Sequence, residues 1–314
     1  MKNSYSGKVL ALCGGVGGAK LAWGLAQMLA PKQLTIAVNT GDDFEHFGLH
    51  ISPDIDTVMY TLAGINNSEL GWGLAGESWQ CMEAMTALGG DSWFRLGDRD
   101  MATHLLRTQW LAQGKSLSEV TAHLCERLNI AHTVVPMSDD SVRTWVDTDE
   151  GILPFQHYFV RAQCAPVAKA VLYADAENAK PNPAILALLN EQNLRTIIIC
   201  PSNPLLSIGP ILALPGLPEA IKNSKAKVFV VSPLIKGQAL KGPTAKMMRE
   251  LAIPTDSTAI AAFYAEVADV LIIDESDAND ADRIPIATYI CKTLMKTDAD
   301  KIALAREILA RTRI

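Results

Sequence analysis

The 314-residue chain is poor in aromatic residues (6%), and it carries no long run of one charge. Its formal net charge is −6, from 34 acidic against 28 basic side chains. That balance argues against a broad electrostatic grip on nucleic acid. Its six cysteines, at 13, 81, 125, 164, 200 and 291, include no C-x-x-C pair. This excludes the usual zinc and dithiol spacings and suits buried free thiols in a reducing compartment. One long stretch without charge, 196–218, holds five prolines together with Asn203 and Ser207, which makes it a poor membrane span. The opening MKNSYSGK leads into a strand-like segment with no apolar signal region, and a cytoplasmic protein is expected. Internal repeats and low-complexity tracts are absent as well.

What the chain does have is alternation. Segments 9–13, 34–39, 196–200, 226–232 and 270–274 are near-continuous apolar runs bounded by polar or turn residues, as expected of parallel strands covered on both faces. Shorter strand candidates lie at 132–137, 142–148 and 168–174. Helical periodicity occupies 20–29, 76–88, 100–113, 116–128, 182–191, 242–251, 257–266 and 301–311. Strands alternating with helices point to an α/β fold, a Rossmann-like, doubly wound and mostly parallel sheet. The expected division is a nucleotide-binding core, 1–60 and 181–314, with 61–180 as a mixed α+β insertion capping the strand C-termini.

Four glycines, Gly14, Gly15, Gly17 and Gly18, follow the first strand within five positions. The loop lacks the Gly-Lys-Ser/Thr ending of a Walker loop, and Lys20 stands where a dinucleotide loop has its third glycine. Two readings are open: backbone contact with phosphate, assisted by Lys20, or a tight βα turn with close helix packing.

Four further stretches carry candidate chemistry. In NTGDDFEHFGLHISPDIDT, Asn39 and Thr40 end a strand, and Asp42, Asp43, Glu45, Asp54 and Asp56 follow in what reads as a short polar loop. Asp43 and Asp56 are the candidates there for Mg²⁺ or substrate contact, against ordinary turn chemistry or a ribose contact. In WFRLGDRDMATHLLR, Asp100, His104 and Arg107 share one helical face. Asp98 or Asp100 could cap that helix, and Arg95, Arg99 and Arg107 offer cations to an anionic substrate. The alternative is a charged helix start held by ion pairs, with His104 paired to Asp100. In CPSNPLLSIGPI, Ser202, Asn203, Ser207 and Gly209 form a proline-stiffened loop able to face a ligand. In SPLIKGQALKGPTAKM, Ser232, Lys236, Lys241, Gly242 and Pro243 precede a helix N-terminus suited to phosphate. Four loops that each follow a strand converge on one sheet edge. Residues alone therefore indicate a Mg²⁺-dependent enzyme or binder of a phosphorylated nucleotide.

Those same stretches, with GGVGGAKL, GWGLAGE and LPFQHYFV, resemble the 2-phospho-L-lactate transferase family of coenzyme F-420 biosynthesis, in order and nearly end to end. The resemblance implies a reaction. The terminal ribityl hydroxyl of a deazariboflavin attacks a guanosine diphosphate adduct of a three-carbon acid, and GMP leaves. It implies catalytic and Mg²⁺-binding roles for Asp43 and Asp56, with Asp56 open as ligand, hydroxyl acceptor or base. It places the deazaflavin against Asp56, Arg95, Asp98 and His104. The nucleotide falls to Gly14, Gly15, Gly17, Gly18, Lys20, Asn39, Thr40, Ser202, Asn203, Ser207, Gly209, Ser232, Lys241, Gly242 and Pro243. Lysine also occurs in the family at the Arg95 place, so that role is cationic rather than a strict fork. A homodimer is implied; the three-carbon acid (phospholactate, phosphoenolpyruvate or phosphoglycerate type) is not. The rival readings are a nucleotide-sugar-binding regulator of a related group and a nicotinamide-dependent oxidoreductase. The combined TGDDF, ISPDIDT and RLGDRD stretches count against the first, and the missing third glycine against the second.

Overall fold

The computed structural model of the chain describes residues 5–239 and 242–312. Its centre is a sheet of seven parallel strands: β1 (Lys8–Cys13), β2 (Leu34–Val38), β3 (Thr133–Pro136), β4 (Leu194–Ile199), β5 (Lys227–Val231), β6 (Val270–Asp274) and β7 (Ala287–Cys291). Their spatial order is β7-β6-β5-β4-β1-β2-β3, the doubly wound order with its switch between β1 and β4.

The apolar runs are continuous because both faces are covered. Val9, Ala11 and Cys13 of β1 point into one core layer, with Leu21, Ile55, Met59, Leu304 and Ile308. Leu10 and Leu12 point into the other, with Ile185, Ile211, Met248 and Ile260. The two-residue period of a strand splits one apolar run between two layers. On the first face lie α1 (Gly15–Met28), α2 (Pro53–Ala63) and the terminal helix Asp298–Arg311. No single helix among the described residues is long and apolar enough to cross a membrane. A bent pair, Pro204–Leu212 with Leu217–Asn223, passes by length and composition, but Leu206, Ile208, Ile211, Leu217 and Ile221 are buried in the cores.

Four differences from the sequence reading affect the site. The helix expected from residue 20 begins at Gly15, so the glycine stretch forms its first turn. The polar loop expected after β2 is instead a hairpin, Phe44–His46 with Leu49–Ile51, followed at once by α2. Phe47 and Gly48 both have positive φ (53° and 71°), as a two-residue primed turn requires. Asp54 and Asp56 thus stand in the first turn of α2, behind Ser52 and the N1 proline Pro53, where acidic residues complement the helix dipole. The edge strand β7 was not expected, because its ATYIC run is only partly buried. Finally, β3 lies within 61–180 yet pairs with β2 in the central sheet. The rest of that segment includes α3 (Asp100–Ala112), α4 (Leu117–Arg127) and an antiparallel sheet of Arg143–Thr148, Gly151–Pro154 and Ala168–Ala174. That sheet reaches the end of β2, where the Thr144 amide donates to the Gly41 carbonyl at 2.7 Å.

Candidate active site

At the switch point the loops after β1 and β4 touch. The Gly14 amide donates to Ser202 Oγ at 3.2 Å, and that hydroxyl donates back to the Gly14 carbonyl at 2.8 Å. The closeness depends on missing side chains. A Cβ at Gly17 would stand 2.2 Å from the Pro201 carbonyl oxygen; one at Gly14 would meet Asp54 Oδ2 at 2.4 Å and Ser207 Cβ at 2.7 Å. Close packing therefore accounts for glycines here. Gly15 donates its amide to Asp54 Oδ1 at 2.7 Å, so a carboxylate of the chain itself sits at the start of α1. Lys20, one turn along, donates to the Met295 carbonyl at 3.1 Å.

Asn39 ties this loop to the end of β2. Its Nδ2 donates to Asp54 Oδ2 at 2.9 Å and to the Leu206 carbonyl at 3.3 Å, while its Oδ1 accepts from the Gly41 amide at 2.9 Å. Burial raises the Asp54 carboxyl to about 6 against the pull of its Asn39 and Gly15 bonds, and the nearby Asp43 charge adds to the rise. Asp42 is held well above the ordinary carboxylate range, first by burial and then by Asp54. Asp43 accepts on Oδ2 from Ser52 Oγ at 2.7 Å and from His50 Nε2 at 3.1 Å.

The second acid of α2 has different company. Asp56 takes a two-pronged fork from Arg107: Nη1 donates to Oδ2 at 3.1 Å, and Nη2 donates to Oδ1. Burial alone would push the Asp56 carboxyl further up; Arg107 and His104 oppose it. His104 lies between the acids, with Nδ1 3.3 Å from Arg107 Nη1 and Nε2 3.4 Å from Asp100 Oδ1. Because guanidinium only donates, Nδ1 is the accepting nitrogen and Nε2 carries the ring proton. Tyr60 closes the network by donating to Asp100 Oδ1 at 2.6 Å. Asp56, Asp100 and His104 hold ligand atoms within 4.8 Å of one another, yet Arg107 stands among them, and its charge opposes a metal ion there.

Other expected site residues are spread along the rim. Arg95 is exposed, its guanidinium 4.2 Å above the Trp79 ring. Asp98 accepts from Ser78 Oγ and from the Gln80 and Cys81 amides. It therefore caps the helix Gln80–Ala87 rather than α3, whose first amides go to Glu77. Asn203 caps the turn after Pro204 through Oδ1. Ser207 is buried beside Gly14. A Cβ at Gly209 would reach within 2.0 Å of the Tyr173 hydroxyl. Ser232 bonds locally with Leu234. Gly242 and Pro243 lead into the short helix Thr244–Glu250, and Lys241 lies outside the described residues.

A cavity of about 260 Å³ opens beside the Asp42–Asp43 loop, under the antiparallel sheet. Gly41, Asp42, Asp43, Thr144, Trp145 and His157 are among its lining. Among its lining residues, Asp42 Oδ1, Asp43 Oδ1 and Thr144 Oγ1 are buried with no hydrogen-bond partner among the described residues, and so are Thr40 Oγ1 and Asn203 Nδ2 on adjoining loops. Buried polar groups left without partners are costly, and three of them on the wall of one cavity suit it to a polar ligand. The candidates read from sequence patterns alone do not include His50, Ser52 or the Asp56–Arg107 pair. Ser-Pro followed by two acids is a helix-start signature that would have placed Ser52 and α2. The pairing of Arg107 with Asp56, 51 residues away, leaves no local trace.

The family model described as 2-phospho-L-lactate transferase CofD matches residues 9–310. A phosphoenolpyruvate transferase of Streptomyces coelicolor is 40% identical over 311 residues, covering 96% of this chain and 97% of that protein. The 2-phospho-L-lactate transferases of Methanospirillum hungatei and Methanocaldococcus jannaschii are 38% and 37% identical, each over 96% of this chain and 98% and 97% of their own. Among solved structures, a UPF0052 family protein from Bacillus halodurans superposes with a TM-score of 0.64 at 17% identity, over 98% of this chain and 100% of that one. That likeness speaks to the fold alone. With the family match running through all seven strands and every loop of the switch-point site, the chain belongs to the 2-phospho-L-lactate transferase CofD family.

Proposed function

We propose that the chain transfers a phospho-three-carbon-acid group from a guanosine diphosphate adduct to the terminal ribityl hydroxyl of 7,8-didemethyl-8-hydroxy-5-deazariboflavin. The oxygen–phosphorus bond to GMP breaks, the ribityl oxygen–phosphorus bond forms, and the hydroxyl proton is released. The observation that carries this reading is the set of three unpartnered buried polar atoms on residues lining the cavity, Asp42 Oδ1, Asp43 Oδ1 and Thr144 Oγ1, with Thr40 Oγ1 and Asn203 Nδ2 on adjoining loops. A phosphorylated, metal-bearing substrate supplies both the donors and the acceptors they lack. Transfer of this kind asks the protein mainly for positioning and charge neutralisation.

Within that reading the loops divide the substrates. Ser202, Asn203, Ser207 and Gly209, with Ser232, Gly242 and Pro243, surround the guanosine diphosphate part. Asp56 and Arg95 face the deazaflavin, with the buried His104 behind Asp56. Asp43 fits Mg²⁺, since its Oδ1 is buried and unpartnered, and the same holds for Asp42 Oδ1; carboxylate oxygens are what this ion prefers. Asp56 fits it less well, with both oxygens on Arg107. When bound there, Mg²⁺ would neutralise charge on the diphosphate and the departing GMP. The six free cysteines suit a reducing compartment, and we place the enzyme in the cytoplasm as a homodimer.

The test is transfer itself. Purified protein is incubated with the deazariboflavin, Mg²⁺ and each of the three guanylated acids, and product mass is read. A product from one acid, abolished by excess EDTA, is expected and names the acid. No product from any acid, together with thermal protection by nucleotide sugars, would replace this reading with the regulatory one.

A further inference from the structure

The geometry points to Arg107 as a positioning residue for the transfer: it aims the Asp56 carboxylate directly and steadies Asp43 through the strand that carries His50. The inference rests on the transferase reading above.

Sequence reasoning offers Arg107 to an anionic substrate. The structure leaves it no way to meet one, because the side chain is 0% exposed. Nη1 and Nη2 grip the two oxygens of Asp56. Nη1 also lies 3.4 Å from the His50 carbonyl and 3.3 Å from His104 Nδ1. The next residue on α3, Thr108, accepts the His50 amide on Oγ1 at 2.8 Å. The His50 ring then donates to Asp43 Oδ2. A single turn of α3 thus holds both acids to which the reaction assigns work, one by a fork and one through a strand.

A purely structural account explains this poorly. A buried ion pair is usually no more stabilising than a well-packed apolar pair of the same volume. What a guanidinium fork adds is direction, since two parallel N–H···O bonds fix the plane of a carboxylate. Lysine would keep the charge and lose that plane.

Arg107→Lys is therefore the informative variant, measured in the intact protein for thermal unfolding, GDP affinity, kcat and the KM of each substrate. A folded variant with unchanged GDP affinity, little change in KM for the guanylated acid and a kcat lower by about 100-fold is expected, the size of effect that a small misplacement of reacting groups produces. A folded variant with wild-type kcat overturns the inference. So does a loss of kcat matched by an equal loss of GDP affinity, which would indicate general damage. If Arg107→Lys does not fold, His104→Phe removes the ring nitrogen facing Nη1, together with the one facing Asp100, and leaves the Arg107–Asp56 fork in place. It is expected to lower kcat several-fold with GDP affinity intact, and an unchanged kcat there overturns the inference too. Absence of transfer by the wild-type protein would overturn the transferase reading itself, a result separate from any of these.

Discussion

Asp43 and Asp56 belong to one short acidic stretch, and both are nearly inaccessible, at 2% and 5% exposure. Their surroundings are opposite. Around Asp43 the protein supplies bonds to one carboxylate oxygen and leaves the other without a partner, next to a cavity and two more unpartnered hydroxyls. Around Asp56 the protein supplies a full fork, a histidine and, behind it, Asp100 and Tyr60. The first environment leaves a carboxylate oxygen without a partner among the described residues; the second engages both oxygens of its acid and leaves only Arg107 Nε and His104 Nε2, behind it, without one. Burial of an acid therefore says little about its work until the partners of each oxygen are counted.

The contrast predicts opposite losses. Replacing Arg107 by Met strands a buried charge on Asp56, and urea unfolding should show a loss of about 3–5 kcal/mol. Adding Asp56→Asn should recover a large part of it; no recovery would mean the pair is not the unit drawn here. Asp43→Asn, whose side-chain oxygen can still accept from Ser52 and His50, should do the reverse, leaving the unfolding midpoint almost unmoved while lowering kcat by about 10³-fold, close to 4 kcal/mol of barrier. A large stability loss in that variant would erase the distinction between the two regions.

Asp54, between them in sequence, sharpens the comparison through pH. Its carboxyl is raised to about 6 in the folded chain, chiefly by burial. An acid raised on folding favours the folded state below the ordinary carboxylate range, and that contribution is lost as pH rises through about 6. Asp42 beside it is raised as well and shares the loss, so Asp54→Asn should lessen without abolishing the wild-type slope of unfolding free energy between about pH 4 and 7. An identical slope in the variant would show that Asp54 does not titrate as described. The smallest effect is at the rim. Asp98→Ala removes a helix cap, so a small drop in Tm is expected, with the KM for the guanylated acid unmoved.

Much of the fold is legible locally. All eight expected strands and all eight expected helices lie within a few residues of observed ones, except at the start of the first helix, which begins at Gly15. Ala168–Ala174 and Val270–Asp274 coincide with expectation. Strands with both faces buried leave continuous apolar runs, and helices packed on them leave a 3.6-residue period. The missed elements are those that break these rules. β7 is an edge strand with little to bury, and α2 opens with Pro-Asp-Ile-Asp, which mimics a loop. In the site, the shared face of Asp100, His104 and Arg107 follows from helix geometry, and the structure buries all three.

By itself, the sequence determined the α/β architecture, the loops that gather at the strand ends and the family, because each is written in short-range periodicity or in contiguous motifs. Only the tertiary structure decided which carboxylate is saturated and which is open, that Asp54 occupies the start of α1, and that Arg107 faces inward to Asp56. Those facts depend on contacts across 39 and 51 residues, and hydrogen-bond partners at that separation are chosen by packing, which no local pattern encodes.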